Sequence, residues 1–288
     1  MNNTIWKEFI ESLYNGFHNT TEVMTLIGFR SAEDELNGRE DIVEYVEYYT
    51  SHEASTVVGN FRDIVKAMSK YTLLRGKDAK FMLVHNHPAG TPEASESDVT
   101  MTKRFQVACA LLGTESVGSY IYIEGGEVVL IGGLTEELTT PRIRISNQYT
   151  PNGTVSVARL GVQRLEAQVQ EHFTSLAVMG ASLSEEVLDM AIQREWDEPY
   201  KLVELDAQNR LLAIYSLNKL QPRIEGATAV DLPYRKGMAM VFRRDASRYV
   251  VYDKRVNTER DSRGLATDTK EFIKAMGIVG YPINFYVG

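Results

Sequence analysis

Two histidines sit one residue apart at the end of an apolar run, with a serine and an aspartate following at fixed distances. Nothing else in the chain limits its folding as tightly. The run is Phe81-Met82-Leu83-Val84, continued by His85-Asn86-His87-Pro88. Consecutive apolar residues of this kind read as a buried strand, which Pro88-Ala89-Gly90-Thr91-Pro92 breaks into a loop. Seven residues separate His87 from Ser95, and two more precede Asp98. Both residues suit the first turn of a helix that runs through Phe105 and Leu111 to Gly113. Residues i and i+2 of a strand share a face, so both imidazoles reach one point, and the loop is long enough to bring Asp98 back to it. Two nitrogens, one oxygen and an open fourth position form the donor set of a catalytic zinc site, with bonds of about 2.0–2.2 Å. The plainer alternative is a polar strand end beside an ordinary helix cap. The strand–loop–helix context and the fixed offsets together favour the metal.

Around this segment the chain alternates element types. Ile5, Phe9, Leu13 and Phe17 recur at helical spacing over residues 3–18. Glu22 to Gly28 and the run containing Ile42, Tyr45, Tyr48 and Tyr49 are rich in β-formers and flank Asn37-Gly38, which predicts a hairpin. Phe61 to Leu74 reads as an amphipathic helix ended by Gly76. Tyr120–Ile123 and Val128–Ile131 flank Glu-Gly-Gly-Glu as a further hairpin. Residues 139–154 are turn-rich and lack a period, so the chain divides there into residues 1–138, a linker at 139–154 and a smaller α+β domain at 155–288.

In that second part, residues 155–195 read as helix and the remainder as largely β. Tyr200–Leu205 and Arg210–Leu217 form one strand pair, and Met238–Phe242 and Tyr249–Val251 another. A helix from Thr267 to Met276 and a last strand at Ile283–Val287 follow. Thr102-Lys-Arg-Phe with Leu-Leu-Gly113 echoes Thr269-Lys-Glu-Phe with Ile-Val-Gly280, which is either a duplication or two ordinary αβ units.

Composition excludes several classes. The 288 residues carry 31 Lys+Arg against 39 Asp+Glu, a net charge of −8. All of it falls in residues 1–150. Such acidity disfavours general binding to nucleic acid or anionic membrane. Cys109 is the single cysteine, so disulfide frameworks and multi-cysteine metal sites are out, and its place on an apolar helix face suits core rather than nucleophile. No apolar run reaches the roughly 18 residues a membrane helix needs, and the first residues lack a signal-peptide core, so a cytoplasmic protein is expected. His18, His52 and His172 have no partners at metal spacing, and Met68, Met82 and Met101 read as core filler.

The segment from His85 to Asp98 resembles the signature of the JAMM metallopeptidases, also called MPN+ or JAB, which is H-x-H-x(7)-S-x(2)-D preceded by a distant glutamate. Its HNHPAG wording is most similar to the RadC branch, whose usual HNHPSG has serine where this chain has Ala89. Asn60-Phe61-Arg62-Asp63 resembles that branch's segment at the start of the preceding helix. The likeness spans about residues 20–135, and residues 151–288 resemble no family that can be named. It implies an α/β fold with an MPN/JAB-type mixed β-sheet flanked by helices and one zinc per chain on His85, His87 and Asp98. It also implies a first-strand glutamate. Glu22-Val-Met-Thr-Leu-Ile-Gly28 is similar to the family's EVMGLLLG-type strand, which nominates Glu22. Glu44, Glu47 and Glu53 compete, the first two on a strand where solvent exposure is the simpler expectation.

A metal at this point would acidify a water toward a pKa of about 7, Glu22 could take its proton and pass it to a leaving amine, and Ser95 could donate to the developing oxyanion. Ser95 also suits a plain N-cap. The expected function is hydrolysis of a peptide or isopeptide bond in a protein substrate, with ubiquitin-like proteins as candidates. RadC-branch likeness raises an alternative: a nucleic-acid-associated repair or antirestriction factor, or a metal-dependent nuclease. Its support is the segment from Tyr234 to Arg255. There Arg235, Lys236, Arg243, Arg244, Arg248, Lys254 and Arg255 alternate with Tyr234, Phe242, Tyr249 and Tyr252, a pattern that tracks phosphates and stacks bases. A solvated hairpin beside Asp245 and Asp253 explains the same residues. HNHPAG beside an unfamiliar second part fits a bacterial or phage source. Oligomeric state is not legible in the sequence.

Overall fold

In the computed structural model the described residues are 3–14, 21–34, 38–50, 61–124, 127–131, 143–145, 200–208, 210–217, 232–243, 246–253 and 267–285. Helix α1 (Asn3–Tyr14) leads into the long hairpin of β1 (Val23–Asp34) and β2 (Gly38–Thr50). Helix α2 (Phe61–Arg75) and a short 3-10 turn (Gly76–Asp78) return the chain to β3 (Ala79–Asn86). Helix α3 (Glu96–Leu112) crosses to β4 (Glu115–Ile123), which pairs with β5 (Glu127–Leu130). With β6 (Ile143–Ile145) these strands form one mixed sheet in the order β5-β4-β3-β1-β2-β6. Strand β3 is antiparallel to β1 and parallel to β4, so it lies inside the sheet and is buried along its whole length.

Alternation of side chains sorts the two faces of this sheet. Val23, Ile27 and Phe29 of β1, Met82 and Val84 of β3, and Tyr120 and Tyr122 of β4 point to one side, where Phe9, Ile10, Leu13 and Tyr14 of α1 cover them. Tyr14 fixes that helix: its hydroxyl donates to the Val84 carbonyl at 2.9 Å, and its ring stacks on Tyr122 at 4.9 Å. Met24, Leu26, Phe81 and Leu83 point to the other side, into a core shared with α2 and α3.

The same core continues into the last part of the chain. Strands β7 (Tyr200–Leu205), β8 (Leu211–Leu217), β9 (Arg248–Asp253) and β10 (Ile283–Phe285) form a second sheet in the order β10-β9-β7-β8. Helices α4 (Leu232–Arg243) and α5 (Thr267–Ile278) lie among these strands in sequence. Met238, Phe242, Phe272 and Met276 of these helices join Phe61, Ile64, Phe105 and Leu112 in one buried cluster.

Two sequence expectations are corrected. Met238–Phe242 belongs to helix α4 rather than to a strand. A short apolar run does not distinguish the two, and here Met238, Ala239, Val241 and Phe242 are all buried, as helical neighbours packed on several sides. The segment 139–154, expected as a linker, contains β6, which pairs in parallel with Asp41–Val43 of β2. Three residues are too few to show a period. The helical reading of residues 155–195 lies outside the described residues. Met68 and Met82 are buried and Met101 packs on the core, as expected.

Glu44 is not the solvent-facing residue anticipated. It pairs with Arg30 at 2.9 Å and with Arg75, and accepts a hydrogen bond from the Tyr71 hydroxyl at 3.1 Å. This knot ties the hairpin to the last turn of α2. Replacing Glu44 with Ala strands two cations and a buried phenol, so Glu44→Ala should lower unfolding free energy by about 1–3 kcal/mol in urea denaturation. Cys109 is fully buried, and burial pushes its thiol up to about 12. The folded protein should therefore resist a thiol reagent at pH 8 and react stoichiometrically once denatured.

Candidate metal centre

The site forms where β3 ends and α3 begins. His85 has the parity of Phe81 and Leu83, so it leaves the strand on the face shared with α3. His87 follows with the same parity, its amide held to the sheet by the Tyr122 carbonyl at 3.0 Å. The loop then turns tightly, with Gly90 N–H donating to the His87 carbonyl at 2.9 Å and Gly90 at φ 71. Helix α3 starts on a capping box. Ser95 Oγ accepts from the Asp98 amide at 3.2 Å, while Asp98 Oδ2 accepts from the Ser95 amide at 2.7 Å. Such a box contributes about 1 kcal/mol and fixes the carboxylate's direction.

His85, His87 and Asp98 converge. Their ligand atoms lie within 4.8 Å of one another. His85 Nε2 and His87 Nε2 are 3.1 Å apart, Asp98 Oδ1 is 3.2 Å from His85 Nε2, and Asp98 Oδ2 is 3.5 Å from His87 Nε2. Tetrahedral coordination with bonds near 2.05 Å places ligands roughly 3.3 Å apart, so these separations already approximate the edges of such a tetrahedron. The Nδ1 of His87 lies 2.8 Å from the Thr91 carbonyl and donates to it, which leaves the Nε2 lone pair facing the site. Burial opposes ionisation of Asp98, but hydrogen bonds from His85 and Ser95 outweigh it and hold the carboxyl well below its ordinary range. The residues present fit a four-coordinate cation with one open position.

Glu22 lies immediately before β1 and is buried. Burial lifts its carboxyl above the ordinary value, His85 pulls it back, and Asp98 adds to the lift, so the carboxylate lies within electrostatic reach of the ligand set. What fixes it there is Asn86, whose parity is opposite to that of the two histidines. Its Oδ1 accepts from the Val23 amide at 2.6 Å and its Nδ2 donates to the Thr21 carbonyl at 3.0 Å. One side chain thus grips the backbone on both sides of Glu22. Sequence reasoning missed this residue, although its place between two ligands on a strand already implied that it faces the other way.

The remaining expectations divide. Ser95 is exposed and serves as the helix cap, with its hydroxyl 2.7 Å from Asp98 Oδ2. Glu47 lies on β2, and Glu53 is outside the described residues. Of the basic segment, Arg235 and Lys236 are on α4, Arg243 is half-buried in its last turn, and Arg248 is exposed at the start of β9. Arg244, Lys254 and Arg255 are outside the described residues. Phe242, Tyr249 and Tyr252 are buried in the core, so these three rings offer no face to a nucleic-acid base.

Residues 35–130 match the family described as RadC-like JAB domain. Similar proteins bear only the designation UPF0758 protein. One from Saccharophagus degradans is 33% identical over 109 residues, 38% of this chain and 42% of the relative. One from Enterococcus faecalis is 26% identical over 95 residues, 33% and 38% of the two chains, and one from Actinobacillus succinogenes is 37% identical over 71 residues, 23% and 32%. The chain spans less than half the length of each of these relatives. The matched residues carry β2 to β5 and the His-His-Asp cluster, and over them the chain is similar to a RadC-like JAB domain. Glu22 lies ahead of the matched residues, so its placement rests on the structure. Among the described residues no helix is long and apolar enough to cross a membrane.

Asn86→Ala leaves a buried amide and a carbonyl without their partner and should cost roughly 1–3 kcal/mol in chemical denaturation. Asn86→Asp keeps the acceptor for Val23 but repels the Thr21 carbonyl, so its stability should fall between wild type and Asn86→Ala.

Proposed function

We propose that the chain is a zinc-dependent hydrolase of peptide or isopeptide bonds, with His85, His87 and Asp98 holding one zinc ion. The observation that carries this reading is the near-tetrahedral spacing of three donors around an open position, next to a buried carboxylate. A zinc ion bound there supplies a Lewis acid and a water acidified toward a pKa of about 7. Glu22, raised by burial and held by Asn86, accepts the proton and delivers it to the leaving amine. Ser95 stands exposed at the rim, where its hydroxyl can turn from Asp98 toward an oxyanion.

The substrate is a protein or peptide that presents an extended bond to this rim, and ubiquitin-like conjugates are the first class to offer. The designation of the relatives assigns them no activity, so the bond class is argued from the donor set and the acid alone. The nucleic-acid alternative loses three of its four stacking rings to the core.

Purified protein should bind one equivalent of zinc, and His85→Ala or Asp98→Asn should abolish that binding. Glu22→Gln should retain the metal and lose at least 10²-fold in hydrolysis of a ubiquitin-like fusion or an extended peptide. Ser95→Ala should lower kcat by about 10²-fold with zinc retained. Single- and double-stranded DNA offered in parallel should be left intact. Metal-dependent DNA cleavage without peptide cleavage would replace this reading with the nuclease one.

A further inference from the structure

The last sheet repeats the first. Strands β1 and β2 form an antiparallel hairpin, α2 follows, β3 returns antiparallel to β1, α3 follows, and β4 lies parallel to β3. Strands β7 and β8 form an antiparallel hairpin, α4 follows, β9 returns antiparallel to β7, α5 follows, and β10 lies parallel to β9. The sheet orders β4-β3-β1-β2 and β10-β9-β7-β8 coincide strand for strand.

Finer details repeat as well. Met24 pairs with His85 and Tyr200 pairs with Asp253, which sets the two frames in register. In that register the irregularity between Gly28 and Phe29 in the first hairpin falls at the same place as the one between Glu204 and Leu205 in the second. Helices α3 and α5 end alike. Gly113, at φ 63, donates to the Ala110 carbonyl, and Thr114 donates to Cys109. Gly280, at φ 90, donates to the Gly277 carbonyl, and Tyr281 donates to Met276. Generic αβ units share strand order, but a bulge at one register position and the same pair of cap bonds are not required by packing alone.

We propose that residues 200–285 are a second, metal-free copy of the unit formed by residues 23–123, retained as its permanent partner within the chain. The metal position shows what was lost. Asp253 stands at the place of His85, and Arg255 follows it in sequence by two, as His87 follows His85. Along the sequence, Leu265 precedes Gly280 by the same interval as Asp98 precedes Gly113, so the chain has no carboxylate at that offset. Asp253 is buried, and its Oδ2 accepts from the Thr269 hydroxyl at 2.8 Å in the first turn of α5. A side-chain hydrogen bond therefore joins strand end to helix start in the second copy, the join that the ligand cluster makes in the first.

The two copies meet through like elements. Helix α2 packs on α4, its counterpart and the main contact, and α3 packs on its counterpart α5 and also on α4. Like-on-like contact is the pattern of an isologous dimer, here made inside one chain. Arg62 of α2 donates through Nε and Nη2 to the Gly280 carbonyl at 2.8 and 2.6 Å, with its guanidinium 4.8 Å over the Tyr281 ring. Arg104 of α3 donates to the Ile278 carbonyl at 3.1 Å and lies 4.4 Å over Phe61. Arg104 shares its helix with Asp98, so the inert copy braces the helix that presents a metal ligand. In this role Arg62 and Arg104 are positioning residues.

The test uses the full chain, read by zinc titration and by amide hydrogen exchange. Zinc should saturate at one per chain, with Asp253→Asn leaving that stoichiometry unchanged. Thr269→Val should speed exchange in β9 and α5 at least tenfold without altering zinc affinity. Arg62→Ala with Arg104→Ala should speed exchange in α2 and α3 at least tenfold and weaken zinc binding at least fivefold. A second equivalent of zinc lost in Asp253→Asn would overturn the metal-free assignment. Unchanged exchange in α2 and α3 of the double variant would overturn the bracing role. The zinc measurements rest on the hydrolase reading. If wild type binds no zinc, that reading fails while the exchange measurements still decide this one.

Discussion

Alternation of side chains along β3 is the constraint on which the rest of the structure depends. Phe81, Leu83, His85 and His87 share one face, and Met82, Val84 and Asn86 the other. The first set carries the core under α2 and α3 and then, as the strand emerges, the donors that meet Asp98. The second set carries the core under α1 and then the amide that grips the start of β1. A slip of one residue in the pairing of β3 would send both histidines toward α1 and leave Asp98 with its capping box alone. The burial that fixes the register is thus the same burial that places the site, and packing and chemistry share one cause.

Much of this was legible beforehand for specific reasons. The four apolar residues before His85 announced an interior strand, and the Ser95/Asp98 spacing announced the helix start, since both rest on local rules that tertiary context seldom overrides. Glu22 came from the resemblance to a first strand, and the structure brings it within electrostatic reach of the histidines. Other features depend on partners distant in sequence. Nothing in Glu44 itself reveals that Arg30, Arg75 and Tyr71 gather around it. The run Met238–Phe242 is apolar throughout, and only the surfaces packed against it decide that it coils. Tyr249 and Tyr252 looked like a display of rings because a strand buried on both faces lacks the polar alternation that marks an exposed one.

The shared core alters how the two parts of the chain relate. Charge and composition change near residue 150, which suggested independence, yet Phe61 and Phe105 are buried together with Phe242 and Phe272. Where Arg62 and Arg104 cross between the two sheets' helices, they donate to backbone carbonyls at the end of α5. Carbonyl acceptors persist through sequence change, which suits a contact kept while one copy diverged.

Asp98 occupies two structures at once, the third position of a capping box and a corner of the donor cluster. Its Oδ2 is engaged by the start of its own helix while its Oδ1 faces His85. The carboxylate direction is therefore set by the backbone of its own helix, through the Ser95 amide, rather than by the side chain's free rotation. A change that disturbs the helix start, such as the loss of Ser95, acts on the donor cluster through the same atoms.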